Sequence, residues 1–233
     1  IRNSRGDSSR LKPKFLSIFD IKAILLKQII KIALVDDHKV MRSALANYLK
    51  GVPGFKVLFD VGTLSDMQSR LNWDDKPDVL LMDYSMKNEK GPDGIIYIRE
   101  TLGDEMSILG LSMHQDPRIV NEVIESGANG YLFKGIDIDE MERAIRSVHL
   151  NGFYINEFTK SMVNGEHYAK RHQNAADMLT STEKSIIIGI CKEESSEDIG
   201  AKLNLTLNTI KTYRKKILRK IGAKNTAGVV VYA

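Results

Sequence analysis

The sequence holds one cysteine, Cys191, in 233 residues. An internal disulfide is therefore impossible, which suits a reducing, cytoplasmic setting, and Cys191 itself is expected as a small buried hydrophobe rather than a nucleophile. An uninterrupted apolar run of membrane-spanning length is also missing. The most apolar stretch, residues 15–35, is broken by Asp20, Lys22, Lys27 and Lys31, too often for a spanning helix. It lacks the small-residue cleavage site of an export signal as well. No internal repeat of fixed period is present. These absences argue against a disulfide-stapled secreted scaffold and a membrane partner.

What is present is ordinary globular composition, 42% hydrophobic and 27% charged, in a chain long enough for one large or two small cores. Charge is unevenly placed. Residues 29–150 carry 14 basic and 20 acidic residues, whereas residues 177–233 carry 10 basic and 6 acidic. An acidic front block and a basic back block imply two domains with different partners. The first 28 residues, with 7 basic and 2 acidic, read as a basic N-terminal extension or cloning remnant, disordered or partly helical. The polar stretch 151–176 reads as a linker with room for one short helix.

Local patterns divide the two blocks by class. Residues 30–35 form a short run rich in branched apolar side chains, the pattern of a buried strand. Val40, Met41, Leu45, Tyr48 and Leu49 then recur at helical spacing, ending at Gly51 with Pro53 beyond, which is helix-stop chemistry. Further strand signals at "FKVLFDV", "DVLLMD", "ILGLSM" and "GYLF" alternate with helix-like stretches. Such alternation predicts a parallel sheet covered on both faces. The back block opens with Thr180 as N-cap and Glu183 three residues on, a capping box, and continues as helical segments near 196–203, 207–221 and 226–233.

In an open parallel sheet the loops after the strands share one edge, where ligands bind. Asp36 and Asp37 follow the first strand, Asp83 closes another, Ser112 closes a third, and Lys134 follows the last. Three acids, a hydroxyl and an ammonium are thus expected together. A hard cation such as Mg²⁺ needs only one or two carboxylates and relieves the repulsion among the acids. Asp83 could then attack phosphorus as a carboxylate nucleophile, with the cation, Lys134 and Ser112 meeting the oxygens of the transferred group.

These residues carry a resemblance. The block 29–150, with "VDDH", "LLMDYSM", "LSMH" and "SGANGYLFKG", resembles the receiver domain of two-component response regulators. Separations of 46 from Asp37 to Asp83, 29 to Ser112 and 22 to Lys134 fit that family. The resemblance implies a flavodoxin-like, doubly wound (βα)5 fold in which Asp83 accepts phosphate from a sensor histidine kinase. It implies Mg²⁺ contacts from Asp37, Asp83 and the Ser85 carbonyl, with Asp36 acting largely through water. Ser112 and Tyr131 would be the coupled switch pair, the ring moving inward. One departure stands out: the family's usual proline four residues after the acceptor is Lys87, and "PDG" arrives about three residues late.

The basic block carries a second resemblance. Between residues 208 and 224 lie seven basic residues and no acids, while Ile210, Tyr213, Ile217 and Ile221 mark a buried face. A helix, a short turn at 204–206 and this basic helix read as a helix-turn-helix, whose second helix enters the major groove. The segment "IGAKLNLTLNTIKTYRKKILRKIG" resembles the LuxR-type, NarL/FixJ domain, an all-α fold of four helices. That resemblance implies that Lys211, Thr212 and Lys215 face bases, and that Thr209, Arg214 and Lys216 hold phosphates, contacts that position without specifying.

The expectation is therefore an α/β receiver followed by an all-α DNA-binding domain: a phosphorylation-controlled transcription factor, not an enzyme, acting on double-stranded promoter DNA as a homodimer when phosphorylated. Two rivals stand beside it. One is an aspartate-dependent Mg²⁺ phosphohydrolase, although "VDDH" lacks the DxD spacing of the haloacid-dehalogenase type. The other is a phosphorylation-independent DNA binder with a vestigial acidic site.

Overall fold

The computed structural model describes residues 29–71, 74–162 and 179–233. The basic extension (1–28) and most of the expected linker lie outside the described residues. Five strands make one parallel sheet: β1 (Ile30–Val35), β2 (Phe55–Val61), β3 (Val79–Asp83), β4 (Ser107–Ser112) and β5 (Gly130–Phe133). Their order is β2-β1-β3-β4-β5, so the chain winds outward on both sides of β1. Side chains alternate between two cores. Ala33, Val35, Leu80, Met82 and Ile108 face one, and Ile32, Leu34, Leu81 and Leu109 the other, as strands buried on both faces require.

Helices α1 (Lys39–Gly51) and α5 (Ile138–Asn151) close the second core with Ala46, Leu49, Met141, Ile145 and Val148. Helices α2 (Leu64–Arg70), α3 (Gly91–Leu102) and α4 (Pro117–Ser126) close the first with Met67, Ile95, Ile98, Val120 and Val123. Thr63 and Asp116 cap α2 and α4 by accepting from the Asp66 and Arg118 N–H groups, and Gly127 ends α4 at φ 114°, a conformation that favours glycine.

Strand register positions the functional edge. Val35 pairs with Met82, Asp83 with Leu111, and Ser112 with Phe133. Asp36, Asp83, Ser112 and Lys134 therefore leave the sheet in one row, at the point where the strand order reverses between β1 and β3.

The start of the expected linker is packed structure. The main-chain N–H of Tyr154 donates to the Asn129 carbonyl at 2.9 Å, and α6 (Glu157–Met162) lies against α4. Thr159, fully buried, donates its hydroxyl to the Tyr131 carbonyl at 3.2 Å, and the Phe158 ring stands 6.5 Å from that of Phe133.

Four helices form the C-terminal unit: α7 (Ser181–Cys191), α8 (Ser196–Leu203), α9 (Leu207–Ile221) and α10 (Thr226–Tyr232). Ile186, Ile190, Ile199, Ile210, Ile217 and Val229 fill their centre. Cys191 departs from expectation. It is exposed, because the last turn of α7 puts it on the outer side with Ile188, three residues earlier and 55% exposed.

The capping box is formed as the sequence predicts. Glu183, only 2% exposed, also meets Lys220 Nζ at 2.7 Å. Burial opposes its ionisation, but Lys220 and the N–H and hydroxyl of Thr180 outweigh burial and hold the carboxyl below its ordinary value of 4.5. A depressed folded-state value contributes stability that is present above the ordinary range and is lost as pH falls through the folded value. The helical unit should therefore lose stability in acid below about 4.5. Glu183→Ala is expected to cost about 2–3 kcal/mol at pH 7 and Glu183→Gln to flatten the acid limb, both readable by urea unfolding across pH. An acid limb unchanged in Glu183→Gln would contradict this assignment.

Candidate functional site

The row at the sheet edge closes into a small acidic pocket. Lys134 is buried there, its side chain 2% exposed, and its Nζ lies 2.7 Å from Asp36 Oδ2 and 2.9 Å from Asp83 Oδ1. Asp36 is fully engaged, since its Oδ1 accepts the His38 N–H at 2.8 Å, while Arg42 binds its main-chain carbonyl. Asp37 Oδ2 accepts the Lys87 N–H at 2.8 Å. Two oxygens are left over. Asp37 Oδ1 and Asp83 Oδ2 are buried and have no hydrogen-bond partner among the described residues.

Such a pair is costly unless something meets it. Three carboxylates face one ammonium, and Asp36, Asp37, His38 and Asp83 each offer a ligand atom within 4.8 Å of the others. Burial pushes the Asp83 carboxyl above its ordinary value; Lys134 opposes that, Asp36 reinforces it, and the Ser85 N–H opposes it. An oxygen-rich pocket with two negative charges in excess fits a hard divalent cation. Of the three acids, only Asp37 and Asp83 retain an unpartnered oxygen to offer it. The His38 imidazole, 64% exposed, stands 2.9 Å from Asp37 Oδ1 without hydrogen-bond alignment. Its nearness was not singled out from sequence, although it adjoins the acidic pair.

Ser112, fully buried, accepts the His114 N–H at 3.1 Å. The Tyr131 ring is also fully buried, and its hydroxyl donates to the His114 carbonyl. Ser112 and Tyr131, expected from sequence to act as a switch pair, both bond to His114, and the ring already lies buried. Burial raises the Tyr131 phenol above its ordinary value, and a hydrogen bond with Ser112 opposes the rise.

The basic helix is α9. Thr206 caps it by accepting the Thr209 N–H at 3.2 Å, and Asn204 turns the chain from α8 at φ 53°. Lys211, Thr212, Lys215 and Lys216 are exposed, with Lys216 Nζ 5.7 Å from the centre of the Tyr213 ring. Arg214 is placed differently. Its guanidinium donates to Ser196 Oγ at 2.8 Å and Thr226 Oγ1 at 3.1 Å, tying α8, α9 and α10 together. Thr209 is half-buried beside the cap.

The two units meet over a cleft that takes Lys211, Arg214 and Lys215 from α9, and Asp104, Glu105 and Asn151 from the α/β unit. Asn225, 4% exposed, locks one end. Its Oδ1 caps α10 by accepting the Gly228 N–H at 3.1 Å. Its Nδ2 donates across the boundary to the carbonyls of Gly127 and Ala128 at 2.6 and 2.7 Å. Arg99 braces the same corner, bonding the Gly127 carbonyl at 2.8 Å and Asn129 Oδ1 at 2.5 Å.

Comparison with known proteins agrees with this division. Residues 32–146 match the response regulator receiver domain, and residues 177–233 match the bacterial regulatory proteins of the luxR family. The response regulator UvrY of Escherichia coli is 30% identical over 195 residues, covering 82% of this chain and 88% of that protein. This chain belongs to the DNA-binding response regulators. The oxygen regulatory protein NreC of Staphylococcus aureus is 31% identical over 216 residues, with 87% and 96% of the two chains covered. The transcriptional regulatory protein MctR of Rhizobium johnstonii is 29% identical over 204 residues, with 88% and 92% covered. Among solved structures, the response regulator RcsB in complex with DNA shares the fold at TM-score 0.54 and 19% identity, over 88% of this chain and 98% of its own. The family is one of two-component transcriptional regulators, which sets aside the phosphohydrolase reading. Among the described residues no helix is long and apolar enough to cross a membrane.

Proposed function

We propose that this regulator acts in the cytoplasm and is switched by phosphorylation of Asp83, that the donor is the phosphohistidine of a sensor kinase, and that the output is promoter binding by a homodimer. The reading is supported chiefly by the unpartnered Asp83 Oδ2, buried beside an equally unpartnered Asp37 Oδ1. One carboxylate oxygen of Asp83 attacks phosphorus; the P–O bond forms as the P–N bond to imidazole breaks, and the imidazole nitrogen keeps the electron pair. Asp37, Asp83 and the Ser85 carbonyl would hold Mg²⁺, with Asp36 outside them, and the cation would supply charge neutralisation for the phosphoryl oxygens. Lys134, already fixed against Asp83 Oδ1, orients the nucleophile and then pairs with the product. Ser112 turns towards the new oxygens, which alters its bond with His114 and so the setting of Tyr131.

In the arrangement described, Lys211, Arg214 and Lys215 of α9 line the cleft shared with the receiver. Phosphorylation shifts the population towards a state in which the cleft is open and α9 free to enter a major groove. Lys211, Thr212 and Lys215 then face bases, while Thr209 and Lys216 hold phosphates; Arg214 joins them only if its bonds to Ser196 and Thr226 are exchanged. Beryllofluoride with Mg²⁺ should convert the chain from monomer to dimer in sedimentation velocity, and a distribution unchanged by the mimic would contradict the switch.

Two mutational outcomes follow. Asn225→Asp keeps the helix cap but replaces the donor facing two carbonyls with an acceptor. It should raise the DNA affinity of the unphosphorylated chain about tenfold, the scale of one or two buried hydrogen bonds; an unchanged affinity would show that the contact does not hold the cleft shut. Lys211→Ala should weaken specific binding by about 1–3 kcal/mol if Lys211 reads a base. Equal loss on all sequences would make it a phosphate contact.

A further inference from the structure

The loop between β3 and α3, "YSMKNEKG", is pinned from several directions. The Gly91 N–H donates to the Tyr84 carbonyl at 3.0 Å, and Ser85 and Lys90 form an antiparallel bridge. The Glu89 carboxylate reaches across to the Leu64 N–H at 2.8 Å, at the start of α2. Gly91 packs so closely that a Cβ there would collide with the Asp83 carbonyl oxygen. This framework carries the Lys87 N–H to Asp37 Oδ2.

We infer that the Lys87 main-chain N–H is a positioning group for the cation, and that loop 84–90 thereby sets how tightly the acidic pocket binds it. The inference rests on the metal-site reading above. A carboxylate rotates about its Cβ–Cγ bond, so an unheld Asp37 would lose that freedom on binding a cation. The N–H fixes Oδ2 in advance and leaves Oδ1 turned into the pocket beside Asp83 Oδ2. Asp36, whose oxygens are both engaged by His38 and Lys134, needs no such help. The Lys87 side chain is exposed, and the contact with Asp37 is made by its main-chain N–H.

The test is a calorimetric Mg²⁺ titration of the full chain and of its Lys87→Ala and Lys87→Pro variants, with unfolding in EDTA to establish that each is folded. Lys87→Ala keeps the N–H and should bind as the parent does. Lys87→Pro removes it and should bind at least about tenfold more weakly, the range in which outer partners of metal-binding carboxylates act. Parent-like binding by Lys87→Pro, or equal weakening in both variants, would overturn the inference. Should the proline variant not fold, amide exchange in the parent decides: a Lys87 N–H that is protected and shifts with Mg²⁺ supports the role, and a rapidly exchanging, unresponsive one overturns it. Absence of saturable Mg²⁺ binding by the parent would overturn the metal-site reading and this inference together.

Discussion

Asp83→Asn should abolish the acid-labile phosphate that the parent chain acquires from acetyl phosphate and Mg²⁺. The amide keeps the size of the side chain but gives up the nucleophilic oxygen, and it replaces an acceptor facing Lys134 at 2.9 Å with a weaker one. Both oxygens of Asp36 are already engaged, and the one free oxygen of Asp37 is the one assigned to the cation. Labelling should therefore fall to background rather than be reduced in part, and the variant should neither dimerise nor gain DNA affinity with beryllofluoride. Continued incorporation on another residue would disprove the acceptor assignment.

Removal of Lys134 should have the largest effect on stability. The ammonium is buried between Asp36 and Asp83, and Lys134→Ala leaves both acids buried without it. Breaking a buried pair in this way costs about 3–5 kcal/mol at neutral pH. The sign of the pH dependence follows from Asp83, which burial already holds above its ordinary value and which loses the group that opposes the rise. A raised folded-state value penalises the folded form at pH above that value, and the penalty lifts as pH falls through it. The deficit of Lys134→Ala should accordingly shrink on acidification. It should also shrink in millimolar Mg²⁺, since a cation that binds only the folded state stabilises it. Urea unfolding at pH 7.5 and 5.5, with and without Mg²⁺, measures both effects. A deficit insensitive to Mg²⁺ would mean that Lys134 does not share its site with a cation.

Much of this was legible in the chain itself because it depends on residue type and period. Branched apolar runs mark the strands, and a doubly wound sheet necessarily brings the residues after them to one edge, so Asp36, Asp83, Ser112 and Lys134 meet although they are distant in sequence. The helix-turn-helix follows from the period of Ile210, Ile217 and Ile221, the cap at Thr180 and the short turn at 204–206. Other features leave no such mark. The Lys87 contact is made by a main-chain N–H, which every residue but proline carries; the unusual loop was visible, its use was not. Asn225 was not singled out from sequence, since its bonds across the domain boundary depend on tertiary placement. Arg214 looks like one more charge on a basic helix until the hydroxyls of Ser196 and Thr226 are seen to hold it. Cys191 misled because burial depends on helix phase in the last turn of α7, not on the apolar character of the thiol.

The central claim is that chemistry at Asp83 governs a recognition helix on the other unit. Quantitative binding to genomic DNA fragments, with and without beryllofluoride and Mg²⁺, in the parent chain and in Asp83→Asn, tests it most directly. The account predicts that the mimic tightens specific binding by the parent at least tenfold and leaves Asp83→Asn unchanged. Equal affinity of the parent in both conditions would contradict it, and would leave a DNA-binding protein whose acidic pocket no longer acts as a switch.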